Sequence, residues 1–203
     1  MSKNNSIWLC CGKGPLTDRE KGILPSLIEK YPSIGINEFI KHFNGCDYFI
    51  NQDYNSADKS LDQGYREDLK VCVPKHSSNS AFGRYAKKRK IKPYLVYSKT
   101  ADCKLNRESN ELYSFFGSGI SAISLAYKEG AEKVLLIGYT TDQEYKYFYS
   151  DAIRPRSKEN IENCKKAIRE IKDTGKIKMY KYREETDFDL ETLTLEELYK
   201  NGI

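Results

Sequence analysis

The sequence predicts a single three-layer α/β domain over residues 1–203, built on a mainly parallel sheet. Three observations carry that expectation. Short apolar runs alternate with segments of helical periodicity, and parallel strands need crossovers long enough to hold a helix. The early runs stop at glycine or at a polar residue, as strands do on leaving a core. A chain of 203 residues, 39% of them hydrophobic, can bury one full core but is short for two.

Taken in order, Ile7-Trp8-Leu9-Cys10-Cys11 reads as a first buried strand, ended by the turn Gly12-Lys13-Gly14-Pro15. Thr17-Asp18-Arg19-Glu20 matches a capping box and predicts a helix start, which Pro25 should break or restart before Ser26. Ser33-Ile34-Gly35-Ile36 and Tyr48-Phe49-Ile50 predict a second and a third strand, stopping at Asn37 and at Asn51-Gln52-Asp53. Lys70-Val71-Cys72-Val73 and Tyr94-Leu95-Val96-Tyr97 predict two more, separated by a basic, serine-rich stretch at about 75–92 that reads as a loop or lid. The most regular unit is Gly117-Ser118-Gly119, a helix whose apolar side includes Ile120, Ile123 and Leu125, a stop at Gly130, and the strand Val134-Leu135-Leu136-Ile137-Gly138. A second helix over 158–174 places Ile161, Cys164, Ile168 and Ile171 at helical spacing, with Gly175 beyond it. A last strand around 177–182 has an ambiguous apolar face, and 194–199 predicts a short surface helix.

Composition narrows the function. No apolar run nears the roughly 18 residues that would span a bilayer, and the first five residues lack the apolar core of a secretory signal. A soluble, cytoplasmic protein is expected. The six cysteines show no CxxC or metal spacing, so reduced and mostly buried thiols are expected. With two histidines, His42 and His76, there is little material for a histidine zinc centre or a Ser-His-Asp triad. The net charge of +5 is modest, but Arg84, Lys87, Lys88, Arg89, Lys90 and Lys92 crowd one stretch. That stretch is a solvated face or meets an anion, nucleic acid included.

Ligands of open parallel sheets bind beyond the carboxyl ends of the strands, which gathers Gly12, Lys13, Gly14, Asn37, Asn51, Asp53, Ser118 and Gly119 into one expected nucleotide crevice. Gly12-Lys13-Gly14 permits close backbone approach to a phosphate, or is a tight turn needing glycine. The asparagine amides could read a base or sugar edge, or form turns. Asp53 could bond a ribose or hold a divalent cation. Gly117-Ser118-Gly119 offers amides, a hydroxyl and a helix dipole to an anion, or caps and packs its helix.

These pieces together resemble the small bacterial sialyltransferases. They are similar as well to a related group of Rossmann-like proteins that includes a 6-hydroxymethylpterin diphosphokinase. The resemblance rests on residues 12–16, Ile36-Asn37, and the run from Ser118-Gly119-Ile120 through Gly130 to Gly138, scattered over residues 7–142. It implies a Rossmann-like domain whose glycine turn, asparagines and Ser-Gly segment surround a nucleotide-activated sugar, with tyrosines nearby. Two departures stand out. Those families place an aspartate two residues after the glycine ending the late strand, where this chain has Thr140 and then Asp142. The sialyltransferases also carry a histidine base after that strand, and no histidine follows His76 here.

The leading expectation is a glycosyltransferase-like enzyme using a nucleotide sugar, its acceptor and oligomeric state left open and no further cofactor implied. Asp142 or His76 would be the base, and Arg84, Lys87, Lys88, Tyr145, Tyr147 or Tyr149 would steady the leaving phosphate. The tyrosines alternatively line a strand or pack a lid. One alternative is a non-catalytic protein that binds or sequesters a nucleotide. Another is diphosphate transfer from a nucleoside triphosphate, for which magnesium would be held by Asp53 and Asp142.

Overall fold

The computed structural model describes residues 3–52, 54–75, 90–115, 117–150 and 152–202. The chain begins with strand β1 (Trp8–Cys11), followed by helix α1 (Asp18–Lys30), β2 (Ser33–Ile36), a 3-10 turn (Asn37–Lys41) and β3 (Tyr48–Ile50). Next come α2 (Tyr54–Gly64), β4 (Lys70–Pro74), β5 (Leu95–Thr100), β6 (Glu111–Tyr113), α3 (Ser118–Lys128) and β7 (Lys133–Ile137). A hairpin of β8 (Glu144–Lys146) and β9 (Ile153–Pro155) leads into α4 (Lys158–Asp173), β10 (Lys178–Lys181), β11 (Glu191–Thr192) and α5 (Leu195–Asn201).

Among the described residues, nine strands form one sheet in the order β11, β10, β7, β1, β2, β3, β4, β5, β6, and every neighbouring pair is parallel. The chain starts in the middle, runs outward through β6, then returns to set β7 against the free side of β1, with Leu9 opposite Leu135. The reversal between β1 and β7 is the point where an open α/β sheet leaves a crevice at its carboxyl edge. Both faces of the sheet are covered. Trp8, Cys10, Val134 and Leu136 pack with Ile120 and Ile123 of α3 and Ile168 and Ile171 of α4. Leu9, Cys11, Leu135 and Ile137 pack on the opposite side with Leu24, Leu27 and Ile28 of α1, Leu61 of α2 and Leu198 of α5. Covering on two sides is why these strands read as continuous apolar runs rather than alternating ones.

The expected three-layer α/β fold is therefore the observed one, with several local corrections. The capping box at Thr17 and Glu20 forms, but Pro25 lies inside an unbroken α1. Pro25 is exposed, so the Lys21 carbonyl it leaves unbonded can face water while Leu24, Leu27 and Ile28 stay buried. Gly117 (φ 114°) opens α3 and Gly130 (φ 104°) follows its end, both in backbone that glycine tolerates best. The ambiguous strand resolves with Ile177 and Met179 on the α4 side and Tyr182 on the other. The final helix is capped by Thr194 and Glu197 and packs on the surface as expected, burying Leu195 and Leu198 and exposing Glu197, Tyr199 and Lys200. Strands β6, β9 and β11 and helix α2 were not expected, and of the strand offered for Tyr145, Tyr147 and Tyr149 only Tyr145 lies in one, β8. The loop or lid expected at 75–92, including Arg84, Lys87 and Lys88, lies largely outside the described residues. Among the described residues, no helix is long and apolar enough to cross a membrane.

Candidate functional site

The cavity at the switch point is lined by Gly12 and Lys13 after β1, Ile36 and Asn37 after β2, and Gly138, Tyr139 and Thr140 after β7. Gly119 and Ile120 at the start of α3, Arg156 ahead of α4, and Cys164 complete it. Its volume is about 590 Å³, counting the open mouth. Of the residues expected in one crevice, Gly12, Lys13, Asn37 and Gly119 line this cavity.

The glycine turn is explained first by packing. Gly12 N donates to Ile137 O at 2.7 Å and Gly14 N to Gly138 O at 2.9 Å, so the turn after β1 is stitched to the end of β7. A Cβ on Gly14 would stand 2.4 Å from Gly138 O, and Gly138 itself adopts φ 69°. Backbone meets backbone there, leaving no flexible atom to yield. Gly119 is constrained likewise, because a Cβ would sit 2.9 Å from the Tyr139 ring, whose hydroxyl donates to Gly119 O at 2.7 Å.

Asn37 is the most informative lining residue. Its backbone is left-handed (φ 57°), a conformation asparagine tolerates better than most residues, and its buried side-chain Oδ1 has no hydrogen-bond partner among the described residues. An unpaired buried carbonyl costs about 1–3 kcal/mol, and Asn37 is one of the residues that line the cavity. At the start of α3, Gly117 gives no side-chain cap, and no described acceptor takes the Ser118 and Gly119 amides.

Ser118 has a partner within the fold. It is buried, and its Oγ accepts the Gln52 backbone N–H at 2.9 Å, tying the tip of β3 to α3. Gln52 Nε2 also donates to Ser121 Oγ, which in turn donates to Ser114 Oγ. This Gln52–serine network was not anticipated, although the polar tip after β3 was its visible trace. Asn51 is buried beside it and is not part of the cavity lining. Asp53 and His76 lie outside the described residues.

Asp142 is exposed and bounds an adjoining groove with Tyr182, Arg183 and Glu185, sharing with the cavity only the wall of Tyr139 and Thr140. Thr140 Oγ1 donates to its carboxylate at 2.7 Å, and Asp142 N donates back to that oxygen at 3.1 Å. Among the described residues, no group of three or more His, Cys, Asp or Glu side chains is placed to hold a metal ion.

The tyrosines belong to a hairpin segment clasped beside the cavity. Phe148 N donates to Lys13 O at 3.3 Å, and the Phe148 ring packs against Phe39 and Phe43. Lys13 Nζ lies 4.3 Å from the Tyr147 ring centre and pairs with Glu38 at 3.3 Å. Tyr147 stacks on Tyr149 (centroids 5.3 Å), and Tyr149 stacks on His42 (4.4 Å) while donating its hydroxyl to Glu38 at 2.7 Å. Burial alone would raise the Glu38 pKa, but the hydrogen bonds from Tyr149 and Lys41 and the charges of Lys13 and Lys41 together hold it at about 2. The clasp therefore stays ionised at physiological pH, and Lys13 is half neutralised within it.

Arg156 was missed by the sequence reading, because a lone arginine before a helix carries no local pattern. Its guanidinium donates to Thr140 O at 2.8 Å and lies 5.2 Å from the Tyr145 ring centre. Among the described residues the lining thus contains a lysine and an arginine and no carboxylate. Its chemistry favours an anion held by cations and open amides.

No protein-family model matches the sequence, and no curated protein matches it. Likeness appears among solved structures. The sialyltransferase CstII from Campylobacter jejuni, in complex with cytidine-5′-monophosphate, aligns with 100% of this chain and 90% of its own at 14% identity and a TM-score of 0.53. CstII with the substrate analogue CMP-3FNeuAc aligns with 94% of this chain and 87% of its own (15% identity, TM-score 0.49). The monofunctional α-2,3-sialyltransferase Cst-I of the same organism aligns with 94% and 82% (12% identity, TM-score 0.43). At such identity the likeness is one of fold: the chain has a sialyltransferase-like α/β architecture.

Proposed function

We propose that this protein is a glycosyltransferase-like enzyme whose cavity takes a nucleotide-activated sugar. The observation that carries the reading is a cationic, carboxylate-free cavity at the switch point of a sheet whose fold, over the whole chain, is that of a sialyltransferase solved with cytidine-5′-monophosphate. In this reading the α3 amides and Arg156 hold the phosphate, and Asn37 Oδ1 accepts from the base or sugar. As the glycosidic bond breaks, negative charge grows on the departing phosphate, and a fixed guanidinium beside it lowers the barrier. The acceptor's proton would pass to Asp142, across the Thr140 wall, or to His76.

A second reading, a nucleotide-binding protein without turnover, is favoured by one observation. Among the described lining residues there is neither a carboxylate nor an imidazole to take a proton. The two readings separate in one assay. Cytidine-5′-monophosphate and its sialic acid conjugate, at a hundredfold excess over Kd, should stabilise the fold by about 2.7 kcal/mol. For a chain of this size that raises Tm by about 5–10 °C. Release of free cytidine-5′-monophosphate from the conjugate marks the enzyme, and an intact bound conjugate marks the binder. If no nucleotide or nucleotide sugar shifts Tm, both readings fall.

A further inference from the structure

We infer that Arg156 is the oxyanion receptor of the cavity, binding the phosphate or a carboxylate of the ligand; this rests on the nucleotide-sugar reading above and extends it to a named residue and charge. Arg156 is fixed before any ligand arrives. Its backbone N–H donates to Gln143 O at 2.7 Å, closing the base of the β8–β9 hairpin. Its guanidinium is held between Thr140 O and the Tyr145 ring. Other described arginines at comparable depth are neutralised: Arg183 pairs with Glu20 and Arg66 with Asp68. Arg156 makes no ion pair with a described carboxylate, and none lines the cavity it faces.

One of its five N–H donors is spent on Thr140 O, which leaves the others for a ligand. A half-buried cation without a counter-charge is unfavourable unless an anion is supplied, and a planar fork matches the paired oxygens of phosphate or carboxylate. Two further residues that line the same space carry open hydrogen-bonding groups: Asn37, whose buried Oδ1 has no partner among the described residues, and Gly119 at the start of α3, whose amide no described acceptor takes. Donors to an anion and an acceptor for a neighbouring donor group are what a phosphorylated, hydroxyl-bearing ligand requires.

The test measures binding of cytidine, cytidine-5′-monophosphate, its sialic acid conjugate and inorganic pyrophosphate to wild type, Arg156→Lys and Arg156→Gln by calorimetry, with circular dichroism to check the fold. Arg156→Gln should weaken the anion it reads by about ten- to hundredfold and leave cytidine unchanged, with Arg156→Lys falling between. Loss for both cytidylates identifies the phosphate as the group bound. Loss for the conjugate alone identifies the sugar carboxylate. If wild type binds pyrophosphate through Arg156 but no nucleotide, the receptor stands and the nucleotide reading fails. Unchanged affinity of a folded Arg156→Gln for every anion, or no anion binding by wild type, overturns the inference.

Discussion

Replacing Gly14 by alanine is the sharpest probe of how the crevice is built. The added methyl would stand 2.4 Å from Gly138 O and 2.7 Å from Gly138 C, distances at which the backbone itself must move. Overpacking of this kind costs about 1–3 kcal/mol. Moving the turn also loosens the Gly14 N to Gly138 O bond, adding about 1 kcal/mol. The expected destabilisation is about 2–4 kcal/mol, a fall in Tm of about 5–15 °C. Gly22→Ala supplies the control, because that glycine sits inside α1 and a methyl added there would meet nothing within 4 Å. It should stabilise by about 0.5–1 kcal/mol. Urea unfolding of both variants beside wild type reads the difference directly. A Gly14→Ala protein as stable as wild type would refute the claim that the turn after β1 meets Gly138, just after β7, backbone to backbone, and would return the glycine turn to a ligand-only explanation.

The remaining predictions concern charge, thiols and the α3 start. Because Glu38 is held at about 2, below its unfolded value, its clasp contributes stability above about pH 4.5 that is lost as pH falls towards 2. The stability gap between wild type and Glu38→Gln should thus be widest above pH 5 and close by about pH 2; a gap independent of pH would show that the carboxylate is not ionised in the clasp. Burial pushes the Cys10, Cys11 and Cys72 thiols far up, so a thiol reagent should label at most Cys103 and Cys164 in the native state and all six in denaturant. Bound cytidine-5′-monophosphate should slow labelling of Cys164, which lines the cavity, and spare Cys103. Ser118→Ala should cost about 1–3 kcal/mol by orphaning the Gln52 amide, and equal denaturation midpoints for the two proteins would contradict that bond.

How much of this is legible in the sequence depends on whether the cause is local. The capping boxes at Thr17 and Thr194 each join residues three apart, and the first of them can be read directly from the order of its residues. Pro25 misleads because a local rule about a lost hydrogen bond is outweighed by the burial of three side chains on the other face of α1. Strand β6 escapes notice because three residues, Glu111, Leu112 and Tyr113, are too few to show a period. The strand-end rule locates the crevice without coordinates, since any parallel sheet puts its carboxyl ends on one edge.

Within the site, chain position is a poor guide to role. Ser118 looks exposed at a helix start, yet Gln52, 66 residues earlier, takes up its oxygen. Asp142 follows Thr140 closely but bounds the adjoining groove, while Arg156, 16 residues from Thr140, lines the cavity together with Lys13. Alternation of helix and strand, helix caps and the polar tips of strands follow from bonding between near neighbours along the chain, and these the amino-acid order determined alone. Which strand lies beside β1, and hence that Gly14 needs to be glycine and that Gly12, Asn37 and Arg156 line one cavity, was decided only when β7 returned to the centre of the sheet. Those properties belong to atoms brought together across more than a hundred residues, where packing and burial, not local preference, set the outcome.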